Sequence, residues 1–325
     1  MKALITGGAG YIGSVVSTHL VGEGLGVTVL DKLVYGGEAL LGLTGHPRFR
    51  LIPGDVRKEQ DLHRALESTD VVIHLAAVVG EPACSVDPGA AWSINLGGTQ
   101  KALAAATEHG VERFVLVSTC SNYGVSAAAS LADESFPLKP LSQYAESKVE
   151  AEKLVLNSKT AGCFVLRLGT ICGLAPRMRF DLLVSEMARA AALGESMRIF
   201  APEAWRPFLH VRDAARALAH CLCAPRESVQ GRVFNVVGEN YQKRGLVDLV
   251  LKHYPGTRIE IAEKEPDLRD YRVSGERIRQ QIGFQTLYTV EDAFLETAGA
   301  VAAGLFRDAK WPGHSAVPLD PARLH

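Results

Sequence analysis

A tyrosine and a lysine, Tyr144 and Lys148, stand four positions apart in a stretch that predicts a helix over 144–160. Residues at this spacing lie on one helix face, about one turn apart. A neighbouring ammonium stabilises a phenolate and lowers the tyrosine pKa from its usual value of about 10. The phenolate can then take a proton from an alcohol while a hydride leaves the carbinol carbon.

A hydroxyl-bearing run supplies a partner for this pair. Residues 118–124 read Ser-Thr-Cys-Ser-Asn-Tyr-Gly and overlap the end of a predicted strand over 114–119. Ligands of doubly wound sheets bind at the carboxyl ends of the strands. We therefore expect Thr119 to share the reacting proton with Tyr144. A Tyr/Lys pair alone is common in helices, and it is this run that makes the interpretation specific.

A glycine-rich turn near the start of the sequence predicts a phosphate site. Gly7, Gly10 and Gly13 follow a short apolar strand and open an amphipathic helix. The missing side chains let the backbone approach a pyrophosphate, and the helix N-terminus offers free N–H groups and a positive dipole end. The strand, the glycines and the helix together match the dinucleotide-binding fingerprint.

Asp31 strengthens this interpretation, because it ends the second predicted strand about 20 residues further on. A carboxylate at this point accepts hydrogen bonds from the adenosine ribose hydroxyls and repels a 2′-phosphate. The sequence therefore favours NAD over NADP as the cofactor, although the adjacent Lys32 weakens that preference slightly.

The elements that must position these residues alternate between strands and helices. Short runs rich in Val, Ile and Leu predict buried strands, and longer amphipathic runs predict helices. The predicted strands are 2–6, 27–30, 50–52, 71–77, 114–119, 164–168 and 233–237. The predicted helices are 12–20, 60–67, 90–109, 144–160, 179–193, 212–223, 245–253, 274–281 and 290–304. This alternation predicts an α/β fold, a Rossmann-like doubly wound parallel sheet with helices on both faces.

The regular alternation ends near Gly173, which suggests two units. Residues 1–173 are predicted to form the dinucleotide-binding domain, and 207–238 to return to it. The remainder of 174–325 predicts a smaller mixed α/β substrate lobe. Its tail from Trp311 onward shows no periodicity.

Composition excludes several classes of protein. The 325 residues include 35 Lys and Arg and 36 Asp and Glu, so there is no broad basic surface for nucleic acid. No apolar run approaches the roughly 18–20 residues that span a bilayer. The six cysteines form no CxxC pair and no metal-ligand spacing. We therefore expect a cytoplasmic protein with free thiols, no metal, no membrane association and no nucleic-acid partner.

At this point the chain resembles a known family, the extended short-chain dehydrogenases/reductases of the NAD-dependent epimerase/dehydratase group, which act on nucleotide sugars. The resemblance extends from residue 1 to about 304. It rests on Asp31, Asn95, Tyr144 and Lys148, and on the segments 6–13, 54–56, 74–77, 118–124, 166–168 and 206–213.

The resemblance implies roles for individual residues. Thr119, Tyr144 and Lys148 would be catalytic, and Lys148 would also hold the nicotinamide ribose. Asp55 and Val56 would flank the adenine. The residues implied in NAD binding are Gly7, Gly10, Tyr11, Ile12, Gly13, Asp31, Lys32, Asp55, Val56, Leu75, Ala76, Ala77, Tyr144 and Lys148.

The substrate side is implied by a second set of residues. Arg206 matches an arginine that contacts the substrate diphosphate, and Asp267 or Arg269 would touch the nucleotide. Thr170 replaces a frequent asparagine, so the diphosphate would be gripped differently. The complete predicted substrate set is Thr119, Cys120, Ser121, Thr170, Arg179, Arg206, Asp267 and Arg269. Cys120 is expected to pack or to line the site rather than to act as a nucleophile, because no neighbouring residue lowers its pKa.

Departures from the family pattern indicate the reaction. Members that eliminate water carry Asp and Glu directly after the catalytic Thr as acid and base. Here Cys120 and Ser121 occupy these positions, which disfavours 4,6-dehydration. The remaining groups suit reversible oxidation and re-reduction of one carbon, most simply a 4-epimerisation through a transient 4-keto sugar.

Other activities stay open at this stage. Inversion at C2, C3 or C5, a 4-keto-reductase, a dehydratase and a non-catalytic NAD-binding sensor all share the dinucleotide turn. The resemblance also implies a homodimer, in which 90–109 and 149–160 of two copies form a four-helix bundle. The partner molecule it implies is a nucleotide-diphosphate sugar.

Overall fold

The computed structural model describes residues 1–125, 131–158, 160, 162–262 and 269–325. Its strands are β1 (Lys2–Thr6), β2 (Gly26–Asp31), β3 (Phe49–Pro53), β4 (Val71–His74), β5 (Arg113–Thr119), β6 (Leu131–Ala132), β7 (Cys163–Leu168), β8 (Thr170–Cys172), β9 (Met197–Phe200), β10 (Trp205–His210), β11 (Val233–Val236), β12 (Glu239–Gln242), β13 (Ile259–Ala262) and β14 (Arg272–Val273).

The helices are α1 (Tyr11–Gly22), α2 (Glu59–Leu66), α3 (Glu81–Cys84), α4 (Pro88–Trp92), α5 (Gly98–Glu108), α6 (Gln143–Leu156), α7 (Leu183–Ala192), α8 (Val211–Cys223), α9 (Arg226–Val229), α10 (Lys243–His253), α11 (Glu276–Ile282) and α12 (Val290–Ala302). Short 3₁₀ turns occupy Glu38–Leu43, Cys120–Tyr123 and Pro321–Leu324, and a π-helical turn at Ser93–Gly97 joins α4 to α5. No helix in the described ranges has the length and apolar character needed to cross a bilayer.

Within the described residues, seven strands form one parallel sheet in the order β11-β7-β5-β4-β1-β2-β3. The predicted Rossmann-like sheet is therefore confirmed. The chain moves outward from β1 to β3 and then returns to place β4 on the other side of β1. This change of direction is the topological switch point at which doubly wound sheets bind ligands.

Both faces of this sheet are buried, as parallel strands require. Ala3 and Ile5 of β1 belong to one hydrophobic cluster, and Leu4 belongs to the cluster on the opposite face. Helices α1 and α8 pack together and contribute to the first cluster, while α2, α5 and α6 contribute to the second. The alternation of side chains along a strand thus places helices on both sides.

Residues beyond 173 are divided between the large sheet and a smaller lobe. Strand β11 pairs with β7 at the edge of the large sheet. In the lobe, β10 pairs in parallel with β8 and antiparallel with β12. Helices α7, α10 and α12 bury a third hydrophobic cluster beside this mixed sheet. The boundary at residue 173 stays a prediction.

Two predicted elements differ from the structure. The strand predicted over 71–77 ends at His74, and beyond it Ala76 N–H donates to the Thr6 hydroxyl and Val78 N–H to the Asn95 side chain. The helix predicted over 179–193 begins only at Leu183. The segment before it is irregular and faces the central cavity instead.

Candidate active site

A cavity of about 950 Å³ opens along the carboxyl ends of the large sheet. It brings together nearly all of the residues that the sequence singled out. Those that line it are Gly7, Gly10, Tyr11, Ile12, Gly13, Asp31, Lys32, Asp55, Val56, Leu75, Ala76, Ala77, Thr119, Ser121, Tyr144, Lys148, Thr170, Arg179 and Arg269. In the described parts of the chain, His, Cys, Asp and Glu form no group that could hold a metal ion.

The glycine turn has the close packing that a phosphate cradle needs. Gly7 has φ +74°, and a Cβ there would come within 2.8 Å of the Ala76 backbone. A Cβ at Gly13 would lie 2.6 Å from Gly8 Cα. Gly10 caps α1, and the N–H groups of the first helical turn have no intrahelical acceptor and border the cavity. Fixed N–H groups at a helix N-terminus form a ready anion site.

Gly13→Ala is expected to lower the free energy of unfolding by about 1–3 kcal/mol, because an added methyl group must displace packed backbone. Gly22→Ala in the same helix is the matched control. A Cβ at Gly22 meets nothing within 4 Å, so we expect no loss of stability there. Urea unfolding monitored by circular dichroism measures both. Equal stability of the two variants would contradict the close-packing interpretation.

Asp31 is fixed beside the glycine turn. Its carboxylate accepts hydrogen bonds from Ala9 N–H at 2.9 Å and from Leu33 N–H at 2.8 Å. Burial raises the pKa of this carboxyl above its ordinary value, and the two N–H donors and the Arg177 charge oppose that rise. A carboxylate has further lone pairs, so Asp31 retains acceptor capacity toward the cavity.

Lys32 does not offset the charge of Asp31. Its ammonium pairs instead with the Asp55 carboxylate at 2.7 Å, and Arg57 pairs with the same carboxylate at 2.6 Å. Hydrogen bonds from Arg57 and Lys32 hold the pKa of Asp55 well below its usual range, although burial opposes them. The preference for NAD that Asp31 predicts is therefore not weakened by the lysine next to it.

The predicted proton-transfer residues meet at the end of β5. Thr119 is half-buried, and its Oγ1 accepts a hydrogen bond from Ser121 N–H at 3.0 Å, which leaves its own O–H available as a donor. Tyr144 and Lys148 lie on α6 and line the same cavity. In the described residues, the Tyr144 hydroxyl and the Lys148 ammonium make no hydrogen bond or ion pair.

The pKa of Tyr144 differs from the sequence-based expectation. Burial raises it to about 12, while the charges of Arg179 and Arg269 lower it. Lys148 was expected to lower this pKa, but the net shift is upward, because burial is its largest cause. Desolvation of the phenol thus outweighs the neighbouring cations, so the pKa of Tyr144 is raised rather than lowered.

Lys148 is only 2% exposed, and burial lowers the pKa of its ammonium from 10.5 to about 8, with Glu152 opposing the shift. Between these two pH values the folded chain binds fewer protons at this site than the unfolded chain, so wild-type stability rises with pH. We therefore expect any stability advantage of Lys148→Met at pH 7 to shrink between about pH 8 and 10.5. Urea midpoints at both ends of this range test it.

Lys252→Met is the control for this measurement, because the Lys252 side chain is 62% exposed on α10. Its stability difference from wild type should not change over that pH range in the same way. A pH-independent difference for Lys148→Met would contradict the buried-ammonium assignment.

A buried ion pair anchors helix α6, which carries Tyr144 and Lys148. Glu152 lies one turn beyond Lys148, and its carboxylate accepts hydrogen bonds from Arg167 Nη2 at 2.6 Å and Nε at 3.1 Å. Ser118 Oγ and Asn122 Nδ2 donate to the same carboxylate at 2.5 and 2.8 Å. These bonds tie α6 to the ends of β5 and β7, so they fix the helix that carries Tyr144.

Two predicted substrate residues lie outside the cavity lining, and one lies outside the described residues. Cys120 is fully buried in a separate hydrophobic cluster, where its thiol donates to Arg167 O at 3.3 Å and burial raises its pKa. The expectation that Cys120 contacts substrate is therefore corrected: only its packing role remains. Arg206 is 4% exposed and donates to the carbonyl groups of Trp205 and Arg269, and its contact with the diphosphate stays a prediction. Asp267 falls among residues that the structure does not describe.

Arg177 was not predicted as a site residue, and Asn95 was named only among the residues that carry the family resemblance. Arg177 lines the cavity, and its guanidinium lies 4.3 Å from the centre of the Tyr35 ring. Asn95, in the π-helical turn, donates to Val78 O at 3.0 Å and to Ser147 Oγ at 3.0 Å. It thereby joins the loop after β4 to helix α6, which carries Tyr144. A π turn inside a helix often marks a functional position.

Residues of the tail also line the cavity, although the sequence shows no periodicity there. Ser315, Ala316, Val317 and Leu324 form part of its wall. They contact the rest of the chain largely through backbone carbonyl groups. A backbone carbonyl is present in every residue, so no side-chain pattern could have revealed these contacts.

Comparison with known proteins gives a consistent result. The model of the NAD dependent epimerase/dehydratase family matches residues 3–237. A dTDP-glucose 4,6-dehydratase of Streptomyces griseus is 31% identical over 90% of this chain and 92% of its own length. A UDP-glucose 4-epimerase of Corynebacterium glutamicum is 27% identical over 94% and 97%.

A solved structure extends the likeness to three dimensions. The dTDP-glucose 4,6-dehydratase DesIV of Streptomyces venezuelae, solved with NAD bound, is 26% identical to this chain. It superimposes with a TM-score of 0.83 and covers 97% of this chain and 100% of its own. The parallel sheet, the glycine turn and the match to the family model all indicate the same family. Its members depend on NAD. The chain therefore belongs to the NAD-dependent epimerase/dehydratase family.

Proposed function

We propose that this protein is an NAD-dependent nucleotide-sugar epimerase that inverts C4 of the sugar through a transient 4-keto sugar. One observation carries the proposal. The end of β5 beside Tyr144 offers the hydroxyl groups of Thr119 and Ser121 to the cavity, and the run 118–124 contains no carboxylate. The phenol of Tyr144 and the hydroxyl groups of Thr119 and Ser121 can exchange a proton with an alcohol. They lack the acid/base pair needed to eliminate water.

The cavity has the residues that NAD needs. The first-turn N–H groups of α1 would hold the pyrophosphate, and Asp31 would accept from the adenosine ribose. Asp55 and Val56 would flank the adenine, with Leu75–Ala77 along the cofactor. Lys148 would donate to the nicotinamide ribose. When bound, NAD supplies the hydride acceptor and donor and a cationic ring.

Residues of the chain transfer the proton and stabilise the charge that develops on the sugar oxygen. Tyr144 takes the proton of the C4 hydroxyl and returns it after the sugar has turned its other face to the cofactor. Thr119 donates its O–H to the same oxygen and so steadies the alkoxide that develops. Burial raises the pKa of Tyr144, so the phenolate would depend on the positive charge of the Lys148 ammonium and, when NAD is bound, on that of the nicotinamide ring.

Two arginines that line the cavity fit a diphosphate. Arg179 and Arg269 line the cavity, and both charges act on Tyr144. Guanidinium groups bind phosphate oxygens through paired N–H donors. We propose that these two residues, with Thr170, anchor the diphosphate while the sugar ring rotates between its two orientations.

A second candidate is 4,6-dehydration, because a dehydratase relative is 31% identical over most of both chains. The buried Cys120 thiol cannot replace a carboxylic acid, since its pKa is raised by burial and it lies outside the cavity lining. The Ser121 hydroxyl accepts a hydrogen bond from Arg269 Nη1 at 2.9 Å, and a hydroxyl cannot replace the carboxyl group that dehydration needs. These contacts favour epimerisation.

The experiment that separates the candidates needs only purified protein and a panel of UDP-, GDP-, CDP- and dTDP-hexoses. Proton NMR follows the anomeric signals, and absorbance at 340 nm follows reduced cofactor. We expect one sugar to interconvert with its C4 epimer without accumulation of NADH. A 4-keto-6-deoxy product would establish the dehydratase instead, and stoichiometric NADH would establish a net dehydrogenase.

We also propose a homodimer formed through the outer faces of α5 and α6. A shallow groove between these helices is lined by Leu96, Gln100, Glu150, Lys153, Leu154 and Asn157. Leu154 at its centre is a partly buried apolar residue that a second copy could cover. Analytical ultracentrifugation should give twice the chain mass of 34.9 kDa, and Leu154→Glu should shift it to the single-chain mass. A wild-type monomer would contradict the proposal.

A further inference from the structure

The segment 313–325 forms part of the wall of the cavity. In its near half, Phe180 N–H donates to His314 O at 2.9 Å, and Arg177 Nη2 donates to Ser315 O at 2.5 Å. Further along, the Tyr35 hydroxyl donates to Ala316 O at 2.5 Å. These contacts fix the near half of the segment beside Arg177 and Tyr35, whose side chains contact each other.

The far half of the segment is anchored beside Asp55. Lys32 Nζ and Arg57 Nη2 both donate to Leu324 O, at 3.3 and 2.5 Å, while both also pair with the Asp55 carboxylate. The pKa of Asp55 is held well below its usual range, so this carboxylate stays charged and holds both cations across the neutral range. Arg323 donates to Val34 O at 3.0 Å on the same side.

This segment belongs to the wall of the cavity and to the core. Leu324 is 2% exposed and Ala316 is 4% exposed, and both lie in the hydrophobic cluster that covers one face of the large sheet. Ala316, Val317 and Leu324 line the cavity. By contrast, Leu319 in the same segment is 60% exposed and does not line the cavity.

We propose that segment 313–325 is a cofactor-retaining wall, which closes the adenosine end of the dinucleotide site so that NAD leaves only when the segment detaches. The inference rests on the proposed function, in which Asp31 and Asp55 mark the adenosine end. Detachment must break the contacts to Tyr35, Lys32 and Arg57 and expose the Leu324 side chain. An epimerase regenerates its cofactor in every turnover, so a resident NAD is compatible with that reaction.

The test measures NAD dissociation without any sugar. Protein loaded with radiolabelled NAD is freed of excess by gel filtration and chased with unlabelled NAD. A chain that stops after His314 is expected to release the label at least about tenfold faster than wild type. Leu324→Ala is expected to release it several-fold faster. Leu319→Ala, the matched control in the same segment, should release it at the wild-type rate.

Hydrogen exchange gives an independent readout, because a closed wall should protect the amides of 313–325 more strongly when NAD is present. Wild-type dissociation rates in a folded Leu324→Ala and in the shortened chain would overturn the proposal. If the shortened chain fails to fold, Leu324→Ala and the exchange data decide alone. Failure of the sugar assay would leave these results untouched, so the two proposals fail separately.

Discussion

Tyr144→Phe is expected to lower kcat of epimerisation by about 10²–10⁴-fold, the range typical for loss of a positioned acid/base group. The variant keeps the ring, which packs against the cluster beneath α6, and loses only the hydroxyl. In the described residues this hydroxyl makes no hydrogen bond within the chain, so its loss removes no structural contact. Unfolding and NAD affinity should therefore stay close to wild type.

The measurement is the initial rate of epimer formation by NMR, together with NAD titration by fluorescence. Tyr241→Phe is the control, since Tyr241 belongs to the hydrophobic cluster of the small lobe and does not line the cavity. It should retain the wild-type rate. If Tyr144→Phe turned over at the wild-type rate, the proton-transfer assignment would be wrong.

Glu152→Gln is expected to cost about 3–5 kcal/mol of unfolding free energy, because it leaves the buried Arg167 charge without its partner. The side chains of Glu152 and Arg167 are only 3% and 5% exposed, and the guanidinium contacts both carboxylate oxygens. The amide that replaces the carboxylate also places an N–H₂ donor either against Ser118 and Asn122 or against the Arg167 guanidinium. The substitution therefore removes the negative charge of Glu152 and disrupts the hydrogen bonds that its carboxylate accepts.

Glu260→Gln is the matched control. Glu260 pairs with Arg198 at 3.1 Å, but these two side chains are 61% and 72% exposed. Exposed pairs contribute little, so we expect a change below about 1 kcal/mol. Urea unfolding monitored by fluorescence measures both variants. Similar losses in the two would mean that burial does not set the strength of the Glu152 pair.

The architecture follows largely from local patterns. Strands β1, β2, β5 and β7 coincide with apolar runs to within a residue or two at each end, and α6 begins one residue before Tyr144. Each of these elements has a strong local signal. Buried parallel strands are apolar throughout, and amphipathic helices place apolar residues on one face at a period of about 3.6 residues. The short strands of the small lobe, such as β8 and β9, carry no such signal and were missed.

The site was harder to predict where contacts depend on tertiary packing. Thr119 and Ser121 reach the cavity, but Cys120 between them points into a separate cluster, because the 3₁₀ turn directs consecutive side chains to different sides. The sign of the Tyr144 pKa shift depends on burial, which a sequence does not report. The segment 313–325 is anchored by backbone carbonyl groups, which have no sequence signature.

The most direct test of the central claim uses the nucleotide hexose that the panel identifies as substrate, labelled with deuterium at C4. If a hydride leaves C4 and returns to the opposite face of the same carbon, mass spectrometry and deuterium NMR should find the label on C4 of the inverted product. Deuterium at C6 of a 4-keto-6-deoxy sugar, or its loss to solvent with inversion at another carbon, would contradict the account.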